Sequence, residues 1–177
     1  MAGGFKKPMN KQTEFVIKKL SNANIKSVLN IGYRFDSDTT VQKFLESNGK
    51  EFYVLEAWKE NCDQLIAKKI CKKIYCGDCR EIDEINRNFD AIIWLHGPEH
   101  IKWDEFLTTR TKIEAKADKL VIYQAPIGSY PQGAIYNNPF ECHVETLYPN
   151  MFSELGYDIS LHNTGGEFTF SAYLEKV

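Results

Sequence analysis

Ser27-Val28-Leu29-Asn30-Ile31-Gly32 is the stretch on which the architecture turns. Its apolar run is short and ends on a glycine, the pattern of a strand buried inside a sheet. Helical and strand patterns alternate after it. Thr39–Ser47 has Val41, Phe44 and Leu45 at helical spacing behind the capping side chains Asp36, Ser37 and Asp38, and Asn48-Gly49 stops it. Glu51–Leu55 reads as a second strand, Glu60–Lys69 as a helix, and Lys73–Cys76 as a short third strand. Phe89–Leu95 carries the strongest strand pattern, Trp103–Lys116 a helix, and Lys119–Ala125 a fifth strand.

Upstream, Thr13–Leu20 suits a short amphipathic helix, and Met1-Ala2-Gly3-Gly4 is expected to be a disordered terminus. Downstream, Pro126–Pro139 is rich in Gly, Pro and Asn and reads as a long loop. Glu145–Leu155 is expected to be a last helix, ended by Gly156. Tyr157–His162 and Glu167–Glu175 alternate with period two around Gly165-Gly166, as a β-hairpin does. The expectation is an α/β chain: a doubly wound, mostly parallel, seven-stranded Rossmann-like sheet with an antiparallel last strand and helices on both faces. Residues 1–26 form an N-terminal segment and helix, and residues 27–177 a single domain.

The 177 residues suit one domain with a substantial core. With 22 basic and 24 acidic side chains, the charge argues against nucleic acid or an anionic membrane as partner. No apolar run approaches the roughly 20 residues that span a bilayer. The five cysteines show no disulfide framework and no leader is evident, so a reduced, cytoplasmic setting is expected.

In a doubly wound sheet the ligand lies beyond the carboxyl ends of the strands, near the first strand. That singles out Asn30–Phe35, Glu56, Gly77–Cys79, Leu95–His100 and Ala125–Gly128. Glu56 can accept hydrogen bonds from both hydroxyls of a ribose, or be a solvated strand-end acid. Asp78 can accept from an exocyclic amine while the next N–H donates to a ring nitrogen; it can equally cap a short helix. His96 and His100 stand four apart, as metal pairs do on helices, but Pro98 interrupts a helix there. They read instead as cofactor contacts, proton acceptors or a structural turn. Cys76-x-x-Cys79 has no second pair and reads as structural. His143 lies where the long loop can fold over a substrate, and Trp58 is placed to lean on a purine or to pack.

Taken together, these places resemble the class I S-adenosylmethionine-dependent methyltransferases of the small-molecule branch, over roughly Ser27 to Val177. Val28–Gly32 is similar to that family's first strand and glycine loop, Glu56 to its ribose-binding acid, and Gly77-Asp78-Cys79 to its adenine-binding segment. Phe89–Ile93 followed by Glu99-His100-Ile101 looks like its fourth-strand segment. Glu141–Val144 and Phe152-x-x-x-Gly156-Tyr157 look like the approach to its sixth strand. Asn137-Asn138-Pro139-Phe140 lacks the second proline of the amino-directed nucleic-acid branch and follows the fifth strand, so it reads as loop.

The resemblance implies S-adenosylmethionine as cofactor, held by Asn30, Gly32, Tyr33, Arg34, Glu56, Ala57, Asp78, Cys79 and His96. It implies a small-molecule acceptor, a sugar or other metabolite, with His96, His100 and His143 as the candidate bases and no metal required. The family's acid-x-Gly-x-Gly-x-Gly reads here Asn30, Gly32, Arg34 and Asp36, so two glycines and the acid are replaced. Arg34 can pair with the cofactor carboxylate or an anionic substrate. The altered loop keeps a second reading open, a catalytically degenerate relative acting as a binding or scaffolding partner. An NAD-linked oxidoreductase is disfavoured by the missing Gly-x-Gly-x-x-Gly and the terminal hairpin.

Overall fold

The sheet grows outward from the strand that opened the sequence reading. The computed structural model describes residues 10–22, 24–164 and 166–176. β1 (Ser27–Ile31) is buried along its whole length, as its apolar run requires. It is flanked by β2 (Glu51–Glu56) and β4 (Phe89–Leu95), both parallel to it. β3 (Lys73–Cys76) extends the sheet beyond β2, and β5 (Ala117–Pro126) lies beyond β4. The hairpin of β6 (Asp158–Thr164) and β7 (Glu167–Glu175) completes a seven-stranded sheet of order β3-β2-β1-β4-β5-β7-β6. β7 is antiparallel to both its neighbours, as the sequence pattern predicts.

The helices divide between two faces. α1 (Lys11–Asn22), α2 (Thr40–Ser47) and α3 (Lys59–Lys68) cover one face. Val16, Leu20, Val41, Leu45 and Leu65 pack there on Val28, Val54 and Ile93. α4 (Trp103–Lys116) and the short α5 (Pro149–Ser153) cover the other face. Phe106, Ile113 and Phe152 meet Leu29, Ile92, Tyr123 and Phe170 there. Neighbouring strand residues thus alternate between two cores, and full burial of each large side chain contributes about 2–3 kcal/mol.

One expected element is shorter than its pattern. The helix predicted for Glu145–Leu155 exists only at Pro149–Ser153. Residues 143–147 form no helix because their backbone groups are taken by distant partners. Val144 N and Glu145 N donate to Glu99 O, and Gly128 N donates to Leu147 O. The helical spacing of Leu147, Phe152 and Leu155 is therefore overridden by tertiary hydrogen bonds. The expectation for Met1–Gly4 and the Gly165 half of the hairpin turn lie outside the described residues. Among the described residues no helix is long and apolar enough to cross a membrane.

Asp90 fastens the opposite end of the sheet. Its carboxylate accepts from Lys26 N at 2.8 Å and Ser27 N at 3.0 Å, and pairs with Lys119 Nζ at 2.7 Å. Burial alone would raise its pKa, but the Lys119 ammonium and the two N–H groups outweigh that and hold it at about 2, below the ordinary 3.8. A carboxyl depressed on folding stabilises above its unfolded pKa, and that stability is lost as pH falls through the folded value. Asp90→Asn is expected to cost about 1–2 kcal/mol at neutral pH. In chemical denaturation the gap between wild type and variant should close between about pH 5 and pH 2. A gap independent of pH would show that Asp90 does not act through its charge.

Candidate functional site

Four strand ends converge on one crevice. At the end of β1 the chain turns at Gly32, whose φ of 70° is costly for any residue with a Cβ. Gly32 N donates to Leu55 O at 2.8 Å, so the turn is pinned to β2. Beyond it Asn61, on α3 and 1% exposed, donates to Tyr33 O at 3.0 Å and accepts from Phe35 N at 2.9 Å. The first loop is therefore fixed from beneath by one amide.

At the end of β4 the indole of Trp94 sets the shape. A Cβ built on Gly97 would lie 1.7 Å from Trp94 Nε1, so backbone alone fits there. A Cβ on Gly32 would lie 3.6 Å from the same atom, which places one ring between the first and fourth loops. His96 precedes Gly97 with a φ of 52°, and a 3₁₀ turn follows at Pro98–His100.

Two adjoining cavities result. The smaller, about 260 Å³, is lined by Gly32, Glu56, Ala57, Asp78, Cys79 and Trp94 among others. The larger, about 660 Å³, is lined by Asn30, Tyr33, Arg34, Glu99, Tyr130 and His143 among others. Gly32, His96, His100 and Glu141 line both. Every residue singled out from the sequence for cofactor or base thus lies along this one crevice. Trp58 and Cys76 line neither cavity. The Cys76 and Cys79 thiols form no disulfide.

In the smaller cavity the Glu56 carboxylate is buried at the β2 end and accepts from Trp58 N at 2.8 Å. Burial raises its pKa, against the N–H of Trp58 and the Asn61 amide, which lower it. A carboxylate offers about four lone-pair sites, so acceptor capacity remains for a ligand. Asp78 takes up the capping role: it accepts from Arg80 N at 2.9 Å and pairs with Arg80 Nη1 at 2.8 Å. Burial pushes the Cys79 thiol well up, so it is a neutral wall.

Arg34 and Asp36, in place of two glycines, form a salt bridge with each other. Arg34 Nη1 also reaches Glu141 Oε2 at 3.1 Å, and Tyr136 Oη donates to Asp36 Oδ2 at 3.1 Å. The replaced side chains therefore tie the first loop to the long loop that covers the crevice.

Two groups, Gln12 and Tyr130, escaped the sequence reading, as did the burial of a third, Glu99. Gln12 reaches in from α1: its amide donates to Thr169 Oγ1, and its Oε1 lies 3.4 Å from His96 Nε2. Tyr130 O lies 2.5 Å from His143 Nδ1. Glu99 is 1% exposed, and among the described residues neither carboxyl oxygen has a hydrogen-bond partner. Burial pushes its pKa up to about 8. A Glu beside Gly97-Pro98 was visible in the sequence, but its burial depends on residues more than 40 positions away.

Comparison with known proteins places this arrangement. No family model matches the chain. No curated protein matches it either. Solved structures do. Magnesium protoporphyrin IX methyltransferase from Synechocystis, solved with bound SAH, superposes with a TM-score of 0.67 at 12% identity, over 94% of this chain and 83% of that one. The chain has the fold of the class I S-adenosylmethionine-dependent methyltransferases. An S-adenosylmethionine-dependent methyltransferase from Clostridium acetobutylicum gives 0.66 at 10% identity, over 95% and 92% of the two chains. A DhpI–SAM–HEP complex gives 0.63 at 13%, over 93% and 86%. At such identities the likeness concerns the methyltransferase fold, and chemistry must be argued from the residues.

The contact between Trp94 and position 97 is directly testable. Gly97→Ala is expected to cost about 2–4 kcal/mol, because the indole has no room to yield, and to shift the Trp emission. Gly77→Ala, where nothing lies within 4 Å of the added carbon, should unfold within about 1 kcal/mol of wild type. Equal thermal stability of the two variants would refute the role given to Trp94.

Proposed function

We propose that the chain transfers a methyl group from S-adenosylmethionine to a small molecule. The observation that carries this reading is the pair of adjoining cavities, one with a buried strand-end carboxylate and the other large and polar, meeting at Gly32 and His96. The residues present fit the cofactor. Glu56 suits a ribose diol, and the Gly77–Cys79 edge closes the far end of its cavity. Gly32 leaves backbone bare where the two cavities meet, and Asn30, Tyr33 and Arg34 line the continuation. When bound, the cofactor supplies a methyl group already activated by its sulfonium.

The chain's own residues then have three tasks: to orient the acceptor, to exclude water, and to take its proton. The larger cavity lies within the usual range for small molecules, about 300–1,000 Å³. It is walled by α1, the long loop and the turn end of the hairpin. Gln12 Nε2 donates to Thr169, so its Oε1 accepts from His96 Nε2–H. That leaves His96 Nδ1 as a proton acceptor at the junction of the cavities. His100 and His143 stand behind it.

Calorimetric titration with S-adenosylmethionine and S-adenosylhomocysteine tests the binding half. Saturable binding is expected, weakened about 10–100-fold in Glu56→Gln. No heat at millimolar ligand would overturn the reading. His96→Asn keeps a residue tolerant of positive φ and should lower kcat about 100-fold, with cofactor affinity nearly unchanged. The Arg34–Asp36 pair in the glycine loop favours a second reading, a binding protein without turnover. Tight cofactor binding with no transfer to any acceptor in a metabolite extract would select it.

A further inference from the structure

The buried Glu99 carboxylate has a use that methyl transfer does not require. Glu99, His100 and His143 each offer a ligand atom, and the three atoms lie within 4.8 Å of one another. The two imidazoles meet edge to face, with ring centroids 4.8 Å apart. Glu99 Oε1 lies 4.0 Å from His143 Nε2 and 3.8 Å from His96 Nδ1, too far for hydrogen bonds and close enough for a shared ion.

We propose that Glu99, His100 and His143 form a binding site for a first-row divalent cation, with its open positions facing the larger cavity. Four observations support this. Both Glu99 oxygens are buried with no hydrogen-bond partner among the described residues, and a bound cation would supply the interactions they lack. His143 Nδ1 is engaged by Tyr130 O at 2.5 Å, which fixes its tautomer and leaves the Nε2 lone pair toward Glu99. His100 faces two carbonyl oxygens, Cys142 O and His96 O, each at 3.2 Å. A neutral imidazole has one N–H to give them, so the other ring nitrogen has no hydrogen bond to lose in turning its lone pair from a carbonyl to a cation. Finally, donors about 2.0–2.2 Å from a cation stand roughly 3–3.5 Å apart, so small side-chain movements close the site.

Two imidazoles and one carboxylate favour Zn²⁺, Co²⁺ or Mn²⁺ over Mg²⁺. The cation would hold and acidify an acceptor oxygen in the larger cavity. That role rests on the methyl-transfer reading; the site itself does not.

The test needs neither cofactor nor acceptor. Co²⁺ is titrated into the full chain and followed by visible absorption. Saturation at one equivalent, with weak ligand-field bands and no thiolate charge-transfer band, is the expected result. Glu99→Gln and His143→Gln should each weaken binding at least tenfold, with far-UV circular dichroism confirming that each variant folds. His162→Gln, at a histidine on β6 outside the cluster, should leave it unchanged. Absence of binding in folded wild type, or binding that survives both substitutions or shows thiolate bands, would overturn the proposal. Binding of Co²⁺ without binding of S-adenosylmethionine would leave the metal site standing and remove the methyl-transfer reading alone.

Discussion

The close approach of the Trp94 indole to Gly97 is the constraint from which the rest of the site follows. No side chain fits at position 97, so the backbone lies against the ring. The chain reverses there, with His96 at positive φ on one side and Pro98 opening the 3₁₀ turn on the other. That reversal buries Glu99 and sets it with His96 and His100 along the larger cavity. The same ring stands opposite Gly32. A single side chain therefore spaces the first and fourth loops, and the crevice between them is as wide as an indole permits.

The reversal also organises a segment far along the chain. Glu99 O accepts from Val144 N and Glu145 N, and His143 N donates to Gln132 O. These bonds keep residues 143–145 out of a helix and bring His143 beside Glu99. The covering loop gains a second attachment where Glu141 and Tyr136 meet Arg34 and Asp36. Salt bridges at partly exposed positions contribute little stability one by one. Here they act on geometry, fixing where the loop crosses the crevice.

The central strands were legible because burial on both faces writes itself into sequence as apolar runs, and Phe89–Leu95 keeps its predicted limits; the edge strand Lys73–Cys76 keeps them too, though none of its residues is buried. The place of Glu56 and Asp78 along the crevice was legible because strand ends in this topology open onto it. What could not be read depends on long-range contact. The 145–155 helix had the right spacing, yet Pro149 begins it late and distant carbonyls claim the preceding backbone. Gln12 sits on a helix whose pattern announces only an apolar face, while its amide reaches Thr169 on β7. Glu99 was legible as part of the segment after the fourth strand, but its burial was not, because charged residues are rarely buried and the chain that covers it is remote in sequence. The histidines were read as a pair four apart; the fold instead sets His100 against His143.

The altered glycine loop has a consistent physical account. In the family pattern, glycines let backbone approach the ligand. At positions 34 and 36 this chain places opposite charges that neutralise each other and engage the covering loop. Their side chains therefore form part of the roof of the crevice. Gly32 retains its positive φ at the junction of the cavities, which is where bare backbone matters most. The two replaced glycines thus alter how the crevice is covered more than whether it is open. The remaining difference, Asn30 for an acid, removes a charge from the end of β1, while the unpartnered Glu99 carboxylate lies across the same cavity. The larger cavity instead sets the buried Glu99 carboxyl among His96, His100 and His143.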